Sequence, residues 1–213
     1  MNCIFTINTD NFMCDNARAS FIAASIRWGV DYVEVRDRTF TDRYPGYLKA
    51  QAARYRISGY DRVAYWDSDC VIREDAPNVF TALPDRELFY VVKDLEESWS
   101  VNTESLLTEC TRLGINCPVY KDTFFNAGFF LCSPGLWKNL FSYVIHQSPN
   151  DHRGPPEQAM INIAAAIYGE GNISYTDRTW NDCGDWSQPM RSYVYHFAGP
   201  FKALAKEQNW KVF

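Results

Sequence analysis

Short apolar runs, some alternating and some continuous, are separated along this chain by turn-forming residues, and longer stretches between them repeat at helical spacing. Residues 3–8 form a β-branched and aromatic run, and Asp15 stands as an N-cap before an alanine-rich helix that ends near Trp28 and Gly29. Residues 31–36 alternate like a strand, 47–56 read as a helix after the Pro45-Gly46 break, and 62–66 form a third strand. A short helix over 75–83, with Pro77 in its first turn, and a strand over 88–92 follow. The polar stretch 93–116 lacks a clean period and predicts a covering loop with one helix. Residues 124–132 are strand-like and 136–145 helical; 156–167 carry almost no charge after the first turn, so that helix requires burial on most sides. Strands over 173–176 and 193–196 bracket an aromatic-polar loop through Trp180 and Trp186.

Strands alternating with helices predict an α/β fold in which a central, mostly parallel mixed sheet is flanked by helices. No repeat, linker or low-complexity tract interrupts it, so residues 1–213 form a single domain. Apolar residues make up 46% of the sequence and aromatic ones 16%, enough for a sizeable core. The formal net charge of -5 argues against a nucleic-acid partner, which a basic surface stripe would have to receive. An anionic small substrate is compatible with that charge if a metal ion and a few local cations meet it. Seven cysteines without CxxC spacing read as reduced, mostly buried thiols. No basic n-region, signal h-region or membrane segment is recognisable, so the expected location is cytoplasmic.

The chemistry concentrates where the strand 62–66 runs into Asp67-Ser68-Asp69. Two carboxylates two residues apart can point the same way from the end of a buried strand, where ligand sites of open α/β sheets lie. Carboxylates that converge repel each other, and a hard divalent cation, magnesium or manganese, relieves that repulsion. The segment alone leaves alternatives open. Four apolar residues before Asp-x-Asp-x-Val also fit a haloacid-dehalogenase-like phosphatase with Asp67 as nucleophile. Against it, two β-α units precede the motif, and the Gly-Asp-x-x-x-Asp motif such enzymes need has no counterpart, since Pro189 follows Gly184-Asp185 where the last acid should stand. A sugar-phosphate nucleotidyltransferase is disfavoured because no glycine-rich loop follows the first strand. A non-catalytic glycan-binding module built on the aromatics is the third alternative. A second constellation, His196-Phe197-Ala198-Gly199-Pro200-Phe201-Lys202, offers an imidazole, a glycine backbone and an ammonium to a metal-bound diphosphate.

Taken in order, Asp67-Ser68-Asp69, Phe125-Asn126-Ala127-Gly128, Glu157-Gln158 and His-x-x-Gly-x-x-Lys resemble the retaining GT-A glycosyltransferases of the glycogenin and bacterial galactosyltransferase group. The tryptophan before the acids is similar to that of plant xylosyltransferase and yeast galactosyltransferase relatives. The whole chain also resembles the N-terminal glycosyltransferase domain of a larger algal-virus protein, which would place it in host cytoplasm and in a multidomain chain.

The resemblance implies a GT-A fold, a UDP-sugar donor, a manganese or magnesium ion, and transfer with retention to a hydroxyl of a glycan or glycoconjugate acceptor. Residues 1–92 would form the nucleotide-binding half and 117–213 the donor-sugar and acceptor half. It implies Asp67, Asp69 and His196 as metal ligands, with Asp67 and Ser68 also near the nucleotide. Thr6, Ile7, Asn8 and Phe12 would take the base and ribose, Lys49 and Asp94 would contact the donor, and Gly199 and Lys202 would hold the diphosphate. Asn126, Glu157 and Gln158 would act beside the transferred sugar. Glu157 departs from the aspartate more usual at that position, which lengthens its reach by one methylene. Apart from the resemblance, Trp180, Asn181, Asp182 and Trp186 form an aromatic-polar cluster that fits either sugar rings of an acceptor or a covering loop packed by its tryptophans.

Overall fold

The computed structural model describes residues 1–8, 13, 15–36, 49, 56–147, 157–169, 171–183 and 192–198. In chain order the elements are β1 (Asn2–Ile7), α1 (Asp15–Trp28), β2 (Asp31–Val35), β3 (Arg62–Trp66), β4 (Cys70–Ile72), α2 (Val79–Ala82), β5 (Phe89–Lys93), α3 (Glu96–Leu113), β6 (Phe125–Cys132), α4 (Pro134–Gln147), α5 (Glu157–Tyr168), β7 (Ile173–Thr176), a 3-10 turn (Arg178–Trp180) and β8 (Val194–His196). Phe12, Gly199, Lys202, Trp186, the Pro45-Gly46 break and most of the helix expected over 47–56 lie outside the described residues.

Six strands form one sheet in the order β2-β1-β3-β6-β5-β7. All run the same way except β6, which is antiparallel to both β3 and β5. The sheet is therefore mostly parallel and mixed, as the strand-helix alternation predicts. Strand alternation divides the core between its two faces. Cys3, Phe5, Val63 and Tyr65 join Trp137, Phe141, Met160 and Ala164 on the face covered by α4 and α5. Ile4, Ala64, Trp66 and Phe129 turn to the other face, against Ala17, Phe21 and Ala24 of α1 and the small β4-β8 sheet. Each fully buried ring of this kind contributes roughly 1.5–3 kcal/mol.

The helix expected to be buried on most sides is so, with Ala159 to Ala165 all buried. It is wedged between two cores: Met160, Ile161 and Ala164 face the sheet, while Ala159 and Ile163 pack against Leu106 and Cys110 of α3.

Two expectations need adjustment and one element was unforeseen. The one helix expected within the covering stretch 93–116 is present as α3, and at 18 residues it takes up most of that stretch. Its buried stripe is sparse, which hid the period, and Gly114 ends it in a left-handed conformation (φ 68°) with its N–H returned to Cys110 and Thr111. The helix placed over 75–83 shrinks to α2, because the Asn78 side chain caps the Phe80 N–H at 3.0 Å and Pro77 lies before the cap. The three-residue β4 was not foreseen, since its partner β8 is more than a hundred residues away. No helix among the described residues is long and apolar enough to cross a membrane.

Candidate active site

β1 and β3 are parallel neighbours in register, with Phe5 opposite Tyr65, so Thr6 to Asn8 and Asp67 leave the sheet at the same edge. Asp67 is held there by its N–H, donated to the Gly128 carbonyl at 3.0 Å. Tyr65, two residues earlier and on the same face, donates its hydroxyl to Asp67. Burial and the neighbouring carboxylate raise the Tyr65 pKa well above its ordinary value, so the phenol stays protonated as a donor.

Lys49 is buried at the centre of this group. Its ammonium lies 2.9 Å from an Asp67 oxygen and 3.3 Å from Glu157 Oε1, and donates to the Ala127 carbonyl at 3.0 Å. Burial lowers the Lys49 pKa, but Asp67 and Glu157 outweigh that cost and raise it above the ordinary lysine value. Lys49 thus bridges the two carboxylates across the site.

Asp69 and His196 form the next group. The Asp67-Ser68-Asp69 turn is closed by the Cys70 N–H donating to the Asp67 carbonyl at 3.0 Å, and Phe197 N–H donates to the Asp69 carbonyl at 2.9 Å, so the end of β8 is fastened to this turn. His196 Nε2 lies 3.3 Å from Asp69 Oδ1 and 3.8 Å from Asp67 Oδ2, while its Nδ1 is 3.2 Å from the Cys183 sulfur. Burial opposes a charged imidazole, yet Cys183 and Asp69 hold the His196 pKa well above its ordinary value. Ligand atoms of Asp69, Cys70 and His196, all buried, lie within 4.8 Å of one another. A buried carboxylate and imidazole 3.3 Å apart have the donor chemistry of a divalent-cation site.

The amides are oriented around this centre. Asn126 Oδ1 accepts from the Gly128 N–H at 2.8 Å and from Asn181 Nδ2 at 2.9 Å, leaving its own NH2 without a partner among the described residues. Gln158 uses both ends of its amide: Oε1 accepts from the Ala127 N–H at 3.0 Å and Nε2 donates to Asp94 Oδ2 at 2.7 Å. Asn8 is likewise occupied, donating to Glu34 at 2.9 Å and accepting from the Met13 N–H at 3.1 Å. Thr6 Oγ1 is buried with no hydrogen-bond partner among the described residues, Ile7 belongs to the core, and Ser68 occupies the turn.

Thus the fold brings Lys49, Asp67, Asp69, Asn126, Glu157, Gln158, Asp94 and His196 into connected groups. Tyr65, Cys183 and the Asn126-Asn181 bond were not anticipated as parts of them. Only Tyr65 left a signal, the two-residue spacing to Asp67. For Trp180 the structure favours the packed-loop reading over the sugar platform: it is 3% exposed, packs on Tyr193, and its carbonyl accepts from the Trp66 indole at 3.0 Å, so it braces β3 and offers no face to a sugar.

Solved structures with the same chain path give this arrangement a context. The chain superposes on a glycosyltransferase involved in the glycosylation of the major capsid of PBCV-1 with a TM-score of 0.65 and 14% identity, over 99% of each chain. The chain adopts the GT-A fold. The galactosyltransferase LgtC, solved with donor and acceptor sugar analogues, shares that fold with a TM-score of 0.51 and 18% identity, over 94% of this chain and 88% of that one. Mouse xyloside xylosyltransferase 1 does so at 0.54 and 11%, over 92% and 96%. No protein-family model and no curated protein matches the sequence, so the likeness is one of fold. Within that GT-A fold, the carboxyl edge of β1, β3 and β5 is the edge that carries Asp67 and Asp94.

Proposed function

We propose that this chain is a metal-dependent glycosyltransferase that moves a sugar from a UDP-sugar to a hydroxyl of a glycan or glycoconjugate, with retention at the anomeric carbon. The observation that carries the reading is the convergence of Asp67, Asp69 and His196 at one strand end, with Glu157 tied across to Asp67 by a buried Lys49.

In this reading the N-terminal half, residues 1–92, receives the nucleotide at Thr6 to Asn8 and Phe12, and residues 117–213 receive the sugar and acceptor. Asp69 and His196 hold manganese or magnesium, joined by Asp67. The bound ion supplies positive charge to the diphosphate in an acidic protein. Gly199 and Lys202, just beyond β8, complete the diphosphate grip. The bond from the anomeric carbon to the diphosphate oxygen breaks, its electron pair staying on UDP. The acceptor hydroxyl oxygen bonds to that carbon, and its proton is released.

The chain's own residues hold the sugar through this exchange. Lys49 keeps Glu157 turned inward, where its carboxylate faces positive charge developing on the sugar ring. The Asn126 amide offers its NH2 to the donor sugar, and Gln158 with Asp94 sets the wall beyond it. The six described cysteines form no disulfide, which fits cytoplasm, including host cytoplasm for a viral chain.

Calorimetric titration with UDP, with and without manganese, on the wild type and Asp69→Ala tests the reading. Manganese-dependent UDP binding that Asp69→Ala abolishes is expected; metal-independent or absent binding overturns it.

A further inference from the structure

Beside the sugar-handling residues, the end of β5, the start of α3 and the turn at 120–123 enclose an open cleft of about 440 Å³. Small-molecule sites span roughly 300–1,000 Å³, so the space suits a compact ligand. Lys93, Asp94, Trp99, Lys121, Asp122 and Phe124 line it. Trp99 is half-buried and packs edge-on against the buried Phe124 at 5.7 Å between ring centres, so its indole is braced from behind while part of it faces the cleft. The opposite wall is fixed as well: Tyr120 and Thr123 hydrogen-bond to each other, the Tyr175 hydroxyl donates to the Thr123 carbonyl at 2.7 Å, and Lys93 lies over the Tyr175 ring at 5.3 Å.

Asp94 belongs both to this cleft and to the site above. One of its oxygens accepts from Gln158, the neighbour of Glu157 in the first turn of α5. A molecule seated against Trp99 therefore ends one side chain away from the carboxylates that frame the transferred sugar. Its chemistry follows from the lining. Two lysines and two aspartates leave the cleft without net charge while supplying donors and acceptors on both sides, and one flat aromatic surface accompanies them. Sugar rings match that combination, with hydroxyls around the edge and an apolar face for the indole. A singly charged ligand would leave one unit of charge uncompensated in the cleft.

We infer that this cleft is the acceptor subsite and takes a neutral saccharide stacked on Trp99, with its reacting hydroxyl turned toward Asp94 and Gln158. The inference rests on the glycosyltransferase reading and moves the acceptor away from the Trp180 loop, so that residues 93–99 share with 117–213 the part of the chain that receives it.

Seven tryptophans give resolvable indole N–H signals in a 15N spectrum, and Trp99→Phe, which keeps an aromatic packed on Phe124, assigns the Trp99 signal by its loss. Cellobiose, maltose and lactose serve as neutral probes and glucuronic acid as the charged control, each added to the protein with UDP and manganese. Saturable movement of the Trp99 signal by a neutral probe, and not by glucuronic acid, is expected. A Trp99 signal unmoved by all three, or moved equally by glucuronic acid, overturns the assignment.

For the probe that moves it, the ratio of transfer to acceptor-independent UDP-sugar hydrolysis should fall about tenfold or more in Trp99→Ala, the usual effect of truncating an aromatic anchor. An unchanged ratio in that variant, and in the surface variant Lys121→Ala, also overturns it. The two readings fail separately: a wild type that turns over no UDP-sugar sinks the transferase reading, whereas hydrolysis without a Trp99 response sinks only the cleft.

Discussion

Gly128 has no side chain for a reason that can be measured. Its backbone is not in the left-handed region, so conformational freedom does not explain the glycine. Space does: a methyl group there would press on Cε1 of His196 and stand 2.6 Å from its Nδ1 and 2.8 Å from Asn126 Oδ1, where ordinary contact begins near 3.4 Å. In Gly128→Ala the imidazole must retreat by at least about 0.8 Å, the shortfall at Nδ1, since Cε1 is nearer still. It is hemmed in by Asp69 at 3.3 Å and the Cys183 sulfur at 3.2 Å, so the retreat breaks one of those contacts or twists Asn126. Overpacking of this kind costs about 1–3 kcal/mol, which in a chain of this size lowers the melting temperature by roughly 3–10 °C. If His196 holds the metal as proposed, displacing it by most of an ångström should weaken metal binding by about 10–100-fold, the range seen when ligand orientation is disturbed. Manganese titration in the presence of UDP, with a melting curve on the same samples, reads both quantities. A Gly128→Ala protein with wild-type melting and manganese affinity within about twofold, the scale of a bland surface change, would refute this account of the His196 pocket.

Three further outcomes follow from particular contacts. Lys49→Met leaves the partly exposed Asp67 and Glu157 carboxylates facing each other without their cation; discounting for their solvent access, the loss should be about 2–4 kcal/mol by urea unfolding. A Lys49→Met midpoint equal to wild type would show that the bridge has no structural role. Asn162 takes over the edge of β6, accepting from the Phe125 N–H and donating to its carbonyl, both at 2.9 Å, so Asn162→Leu should cost roughly 2–4 kcal/mol through two orphaned backbone groups. Glu34 titrates on acidification: burial pushes its carboxyl up, but hydrogen bonds from Arg36, Arg18 and Asn8 bring it from 4.5 down to about 2. With the folded pKa below the unfolded one, its contribution, at most roughly 3 kcal/mol, is complete above about pH 4.5 and lost toward pH 2; Glu34→Gln should flatten that part of the stability-pH curve.

Strand positions were legible because each is a short apolar run with its own turn signals, and Asp67 with Asp69 stood out because they end the most apolar of them. The partners of these acids were less legible. Lys49 meets Asp67 across 18 residues and Glu157 across 108, and nothing local distinguishes it from a surface charge on a helix. Cys183 reaches His196 only because the Asp182 backbone pairs with β8. Trp180 misled for a related reason: an indole beside polar residues reads as a sugar platform, whereas its burial depends on Tyr193 and on the Trp66 N–H that takes its carbonyl. Trp99, the indole that does face a cleft, lay in a stretch too polar to show its helical period.

The direction of β6 explains how Phe125-Asn126-Ala127-Gly128 comes to serve acids that lie some sixty residues earlier. A strand parallel to β3 and β5 would bring its last residues to their carboxyl edge; β6, running the other way, brings its first ones. Trp66 pairs with Phe129 and Lys93 with Phe125, so residues 126–128 fall between the two strand ends, beside Asp67 and Asp94. The pairing with β5 also slips there: Tyr90 faces Leu131 but Val92 faces Asn126, a bulge that withdraws part of β6 from the β5 ladder. The freed backbone is what holds the site. The Ala127 N–H goes to Gln158 and its carbonyl to Lys49, while on the β3 side the Gly128 carbonyl takes the Asp67 N–H and extends that pairing by one step. Without the slip, the Ala127 N–H and carbonyl would be committed to β5 and leave Gln158 and Lys49 without the fixed points that bring them to Asp67.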